Sequence, residues 1–191
     1  FKCIQDQKQQ RLGTSWHRST EAEWIAQEAK RILDEKPELS VGVISFYSGQ
    51  IQSIFKAMED PQVRLTVGNK IAENYRIIST GKNIGDERLR IGTVDAFQGK
   101  EFDVVFVSLV RTLPKDFNVE GLDDREKDEA LTRAYGFLRV DNRLNVALSR
   151  QRSLLIVTGD KELVAHSATQ EAVPALPAFL KLCGGQHGKI F

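Results

Sequence analysis

Two short, almost unbroken apolar runs constrain this chain more than anything else in it: VVFVSLV at 104–110 and SLLIVT at 153–158. Runs of this length, rich in β-branched residues, read as strands covered on both faces, the arrangement of a parallel sheet. Such a sheet needs helices above and below it, so the expected fold class is α/β: a mostly parallel sheet with helices on both faces. The runs VGVISF at 41–46 and LRIGTV at 89–94 supply further strands, and residues 1–4 read as a sheet edge. Between them, Ala22, Ile25, Ala26, Ala29, Ile32 and Leu33 recur at helical spacing until Pro37, and Ile51, Ile54, Phe55 and Met58 do so until Pro61. Thr20 with Glu23 predicts a capping box for the first helix, and Ser48 predicts the cap of the second. A last short helix is expected over 177–183. Segments 62–85 and 113–135 show no sustained period, and the alternating charges of 123–133 read as a solvated insertion.

Composition narrows the class without naming a ligand. With 191 residues, 41% hydrophobic and 28% charged, the chain suits one ordinary globular domain and has no apolar run long enough to span a bilayer. Phe1 is not an initiator Met and no signal sequence precedes it, so the chain reads as an excised piece. Cys3 and Cys183 stand apart with no CxxC spacing, which predicts neither zinc nor a disulfide framework and fits a reducing, cytoplasmic setting. The formal net charge is only +1, so any nucleic-acid strand must be held by a few placed groups and not by a general positive field.

In open parallel sheets ligands bind where loops leave the strands' carboxyl ends, which directs attention to three segments. TVDAFQGKE at 93–101 crowds hydroxyl, amide, glycine and carboxylate groups between two strands; Gly99 permits close backbone approach, and Glu101 can accept from ribose hydroxyls. DNRLNVALSRQR at 141–152 predicts a short amphipathic helix with Arg143 and Arg150, seven positions apart, on one face, where planar guanidinium groups suit a transferring phosphoryl group. VGVISFYSGQ at 41–50 ends a buried strand with hydroxyl, aromatic and amide groups at a helix start, which suits a phosphate or a base. Taken singly, each also fits a capped turn, a salt-bridged surface helix or a packed strand–helix junction.

In this order the segments resemble superfamily 1 helicases, in the branch that contains the nonsense-mediated-decay RNA helicase and its bacterial relatives. Gly13-Thr14-Ser15-Trp16 with Glu21-Ala22 resembles the family's opening segment, 41–50 its motif IV, 94–103 its motif V and 136–152 its motif VI. The resemblance implies a RecA-like second motor domain spanning 1–191, with the first motor domain lying upstream. It implies that Glu101 binds the ribose of ATP and that Arg150 is a catalytic arginine finger on the γ-phosphate. Gln98, Gly99 and Arg143 complete the candidate nucleotide-binding set, and Thr93, Ser45, Tyr47 and Gln50 are the candidate contacts to the bound strand. Relatives usually carry Asn where this chain has Arg18 or Ser19, Thr-Pro-Tyr for Ser45-Phe46-Tyr47, and Thr-Arg-Ala for Ser149-Arg150-Gln151.

No GxxxxGK[ST] loop occurs; Gly81-Lys82 and Gly99-Lys100 both lack the glycine five residues earlier, and Asp128-Glu129-Ala130 follows charged residues where a magnesium-binding pair would follow an apolar strand. The expected cofactor is therefore ATP with Mg2+, held mainly by the first motor domain, with no metal ligand in this chain. The expected partners are that domain and single-stranded DNA or RNA, with no membrane. The alternatives are a non-catalytic nucleic-acid-binding module or a protein-docking module on a degenerate RecA-like fold.

Overall fold

The structure, a computed structural model, describes residues 1–5 and 7–191, and for Asp141 the backbone alone. Its centre is the sheet that the apolar runs predict. Among the described residues five strands lie in the order β1 (Lys2–Cys3), β9 (Gln151–Gly159), β8 (Phe102–Ser108), β4 (Val41–Ser45), β7 (Leu89–Thr93), every neighbouring pair parallel. Parallel neighbours require crossovers, and the helices α1 (Ser19–Glu35) and α2 (Ser48–Met58), with the helices of the C-terminal half, provide their cover. Alternation along β8 sorts them: Val104 and Phe106 pack with α1 and α2, whereas Val105 and Val107 pack with the helices of the C-terminal half. The fold is thus RecA-like α/β, with two apolar layers separated by one sheet.

Helix α1 buries the six apolar residues that its spacing marks, and it stops at Glu35, ahead of Pro37. Its start differs from expectation. Arg18 holds the N-cap position with no side-chain cap, and the side chain of Gln7 instead accepts from the Thr20 amide at 3.2 Å and the Ser19 hydroxyl at 3.0 Å. The Thr20–Glu23 capping box is therefore absent, because the preceding connector reaches the helix end first. Ser48 likewise is the first helical residue and not the cap; the Gly49 amide donates to Ser15 Oγ at 3.0 Å, from the hairpin of β2 (Gln10–Leu12) and β3 (Ser15–His17).

The two unassigned segments contain local order. The first holds a small hairpin, β5 (Thr66–Val67) with β6 (Lys70–Ile71), and a single 3₁₀ turn at Glu73–Tyr75. The second ends in α3 (Asp124–Tyr135), opened by a capping box between Asp123 and Glu126. That helix corrects the reading of a solvated insertion: Leu131, Ala134 and Tyr135 are buried in the apolar layer of the C-terminal half, while its charges face outward, and Asp128 and Glu129 pair with Arg139 and Arg125. A 3₁₀ turn at Gly136–Arg139 then leads into α4 (Asp141–Ala147), so no strand precedes this helix. The chain closes with α5 (Lys161–Ala165), α6 (Ser167–Ala172) and α7 (Ala175–Cys183). Strand β9 also departs from the picture of a strand buried throughout. Ser153 and Leu154 are exposed, because β1 meets β9 only at Thr158 and Gly159 and leaves its first half an open edge.

Candidate functional site

The candidate residues separate to the two ends of the sheet. Glu101 and Arg150 immediately precede β8 and β9, at the amino ends of the strands, and not on loops leaving carboxyl ends as the sequence reading supposed. The reason is local. After β7 the chain makes a 3₁₀ turn at Val94–Phe97 whose Phe97 is fully buried and packs edge-on to Phe102 at 5.5 Å, drawing the connector back along the sheet before β8 begins.

Glu101 and Arg150 line one open cleft of about 380 Å³, together with Gly99, Lys100, Glu87 and Arg152. Gly99 has φ +69°, and a Cβ there would meet nothing within 4 Å, so glycine serves this turn's left-handed backbone and not a close approach. Arg150 donates from Nε to the Val146 carbonyl at 3.1 Å and from Nη2 to Ser149 Oγ at 2.9 Å. Those bonds dock the guanidinium on the end of α4, which stops at Ala147. The expected single helical face for Arg143 and Arg150 therefore does not exist, and Arg150 stands beyond the helix.

Arg152, which the sequence reading did not single out, is the second guanidinium of the cleft. It donates to the Glu101 carbonyl at 3.0 Å and to Asp103 at 3.3 Å. Asp103 also accepts from the Ser40 amide at 2.8 Å and the Ser40 hydroxyl at 2.7 Å. Burial pushes the Asp103 carboxyl up, but the two Ser40 bonds and the charge of Arg152 outweigh it and leave it below the usual carboxylate range. Its alternation within β8 hid Asp103 among apolar neighbours. A larger groove of about 630 Å³ lies between α1 and α2, but it is lined by none of the residues that the motifs select, so volume is no guide to the chemistry here.

At the other end of the sheet, Thr93 closes β7 beside Ser45, its register partner on β4. Thr93 is half-buried, whereas Ser45 and Gln50 are fully buried and Tyr47 is 3% exposed. Gln50 is occupied by the backbone of Arg18 and the hydroxyl of Ser108, and Ser45 donates to the Ser108 carbonyl at 3.2 Å. The side chains of Ser45 and Gln50 thus lie beneath this end of the sheet with no accessible surface, and that of Tyr47 with almost none. Burial pushes the Tyr47 hydroxyl up; the neighbouring Arg111 guanidinium and Phe137 amide oppose part of that rise without closing a hydrogen bond in this geometry.

Arg143 pairs with Asp95 and lies over the ring of Phe137, and it does not line the cleft of Glu101 and Arg150. Gln98 is exposed on the connector and is likewise outside that lining. Among the described residues no group of three or more His, Cys, Asp or Glu is placed to hold a metal ion, and no helix is long and apolar enough to cross a membrane.

A five-stranded parallel sheet covered by helices on both faces defines a RecA-like α/β domain. A family profile described as "AAA domain" matches residues 1–162. The DNA polymerase alpha-associated DNA helicase A of Saccharomyces cerevisiae is 34% identical over 67% of this chain and 13% of its own length. The putative helicase MOV-10 of Gallus gallus is 27% identical over 95% of this chain and 16% of its own length. The regulator of nonsense transcripts 1 homolog of Drosophila melanogaster is 29% identical over 80% of this chain and 10% of its own length. The chain belongs to this AAA domain family, as a helicase domain of superfamily 1 in the nonsense-mediated-decay-helicase-like branch. It spans less than a fifth of the length of each of these relatives.

Proposed function

We propose that this chain is the second motor domain of an ATP-dependent DNA or RNA helicase, providing one wall of the nucleotide cleft and one half of a single-strand track. The observation that carries this reading is the shared cleft of Glu101 and Arg150 at the amino ends of β8 and β9. ATP supplies the phosphoryl group whose transfer to water drives the motor, and its phosphate loop and Mg2+ belong to the first motor domain, upstream of this chain. Glu101, held at its carbonyl by Arg152, accepts from the ribose hydroxyls. Arg150, anchored by Val146 and Ser149, keeps N–H donors free for the equatorial oxygens on which charge accumulates during phosphoryl transfer. Closure of the two domains brings Arg150 to the phosphates, and opening withdraws it; the difference in strand contact between the two states becomes movement.

Thr93 stands at the strand-facing end of the sheet, and Ser45, Tyr47 and Gln50 support that surface from below. The chain alone, lacking a phosphate loop, is expected to hydrolyse no ATP, whereas the protein that contains it together with its upstream region hydrolyses ATP faster when single strands are added. Phosphate release measured on both preparations tests this. Robust turnover by the 191-residue chain, free of contaminating ATPase, contradicts the proposal and points to a complete site within it.

A further inference from the structure

A line of stacked aromatic and guanidinium groups crosses the carboxyl end of the sheet. The Arg11 guanidinium carbon lies 3.8 Å from the Trp16 ring centre, and that of Arg111 lies 5.0 Å from the same ring. Arg111 neighbours Tyr47, whose ring centre is 5.5 Å from that of Phe137 at 43°, and the Arg143 guanidinium carbon is 5.5 Å from the Phe137 ring centre. Arg111 and Tyr47 are 3% exposed, yet Phe137 is 48% exposed. Arg111 and Tyr47 in the middle of the line are locked in the interior; the line reaches solvent at Phe137 and, at its other end, at Arg11.

A single exposed Phe is ordinary on a protein surface. Two observations set Phe137 apart. It is fixed from below, since Tyr47 packs against it and the preceding Gly136 has φ +53° with no room for a Cβ, which would stand 2.8 Å from the Tyr47 hydroxyl. It is also flanked by permanent cations: Arg143 over the ring, and Arg139 on the same 3₁₀ turn, held by Asp128 at 2.8 Å. A rigid aromatic with guanidinium groups beside it is the chemistry that receives an unpaired base and its phosphate, because stacking serves the base and the cations serve the backbone.

We infer that Phe137 is a stacking platform for an unpaired nucleobase of the bound strand, with Arg143 and Arg139 beside its phosphates. This rests on the strand-binding reading above. Because every base offers a π-face, the platform discriminates unpaired from paired bases and is indifferent to base identity.

The test is fluorescence anisotropy on the gene-encoded protein with labelled oligo(dT) and oligo(U), and with an abasic strand of equal length and charge. Phe137→Ala is expected to weaken binding to the base-bearing strand that the protein prefers by roughly 5- to 150-fold, the worth of one stacked base. It should leave abasic binding unchanged, and Phe137→Tyr should keep most of the wild-type affinity. Folding of the Ala variant is checked by its melting curve. Equal affinity of the Ala variant and wild type for base-bearing strands overturns the platform while leaving the helicase reading intact. Equal losses on base-bearing and abasic strands also overturn it, and assign the ring to positioning phosphate contacts. If the wild-type protein binds neither kind of strand, the strand-binding reading itself fails and the platform with it.

Discussion

The guanidinium of Arg143 and the carboxylate of Asp95 join α4 to the 3₁₀ turn that follows β7. The N-terminal side of α4 adjoins Phe137 and its C-terminal side leads to Arg150, so this pair fixes a helix that lies between the proposed strand-facing surface and the proposed nucleotide cleft. Arg143→Ala is expected to cost little stability, on the order of 0–1 kcal/mol, since the two side chains are 32% and 58% exposed and solvent screens them. It should nevertheless reduce the stimulation of ATP turnover by single strands in the gene-encoded protein. Thermal melting and phosphate release with and without strand separate the two effects; unchanged stimulation would leave the pair as a surface contact only.

Asp103 makes acid stability depend on the site's scaffold. Its native pKa lies below the usual 3.8, so in that interval the unfolded chain binds more protons and stability rises with pH. The contribution is complete above 3.8 and disappears as pH falls through the native value. Asp103→Asn should lower stability at neutral pH and flatten the acid limb of a denaturation-versus-pH profile. An acid limb identical to wild type would show that the Ser40 and Arg152 contacts do not hold this carboxylate in solution.

Gly136→Ala should be destabilising by about 1–3 kcal/mol, because its φ of +53° with ψ of −128° is a backbone conformation that side chains rarely adopt, with the Tyr47 clash added. Tyr47 or the turn must shift, and Phe137 with it, so strand affinity is expected to fall together with the melting temperature. Neutral behaviour in both measurements would mean that the turn relaxes freely and does not fix Phe137.

How far the sequence disclosed all this depends on the distance over which each feature is encoded. The sheet core was legible because strand burial on both faces writes an unbroken apolar run, and α1 because its buried stripe repeats within the helix itself. The helix caps differ from the local pattern because Gln7 and Ser15, which serve the two helix starts, arrive from other segments. Arg18 and Glu21 form a fully buried pair, with Glu21 also accepting from Ser108, Thr158 and the Val110 amide, and nothing nearby in sequence reveals that enclosure. Burial raises the Glu21 carboxyl, with Arg18 and the other donors opposing it. Val110 itself carries φ +67° within a γ-turn closed by the Arg111 amide on the Leu109 carbonyl at 2.7 Å, an uncommon conformation for a β-branched residue that aims Arg111 beneath Tyr47. Of the candidate site, the motif residues Glu101 and Arg150 were legible, whereas Arg152, Asp103 and Phe137 emerge only once strands and turns set them side by side.

The most direct test of a second motor domain that completes an ATP site in trans is the turnover of Arg150→Ala in the gene-encoded protein, under saturating single strand and ATP. An arginine finger acts on transition-state charge, so kcat is expected to fall by a factor on the order of a thousand or more while nucleotide affinity changes far less. Arg150→Lys should recover only part of the loss, because an ammonium group lacks the planar fork. A kcat at the wild-type level in the Ala variant would contradict the assignment and leave Arg150 as a residue that merely closes the end of α4.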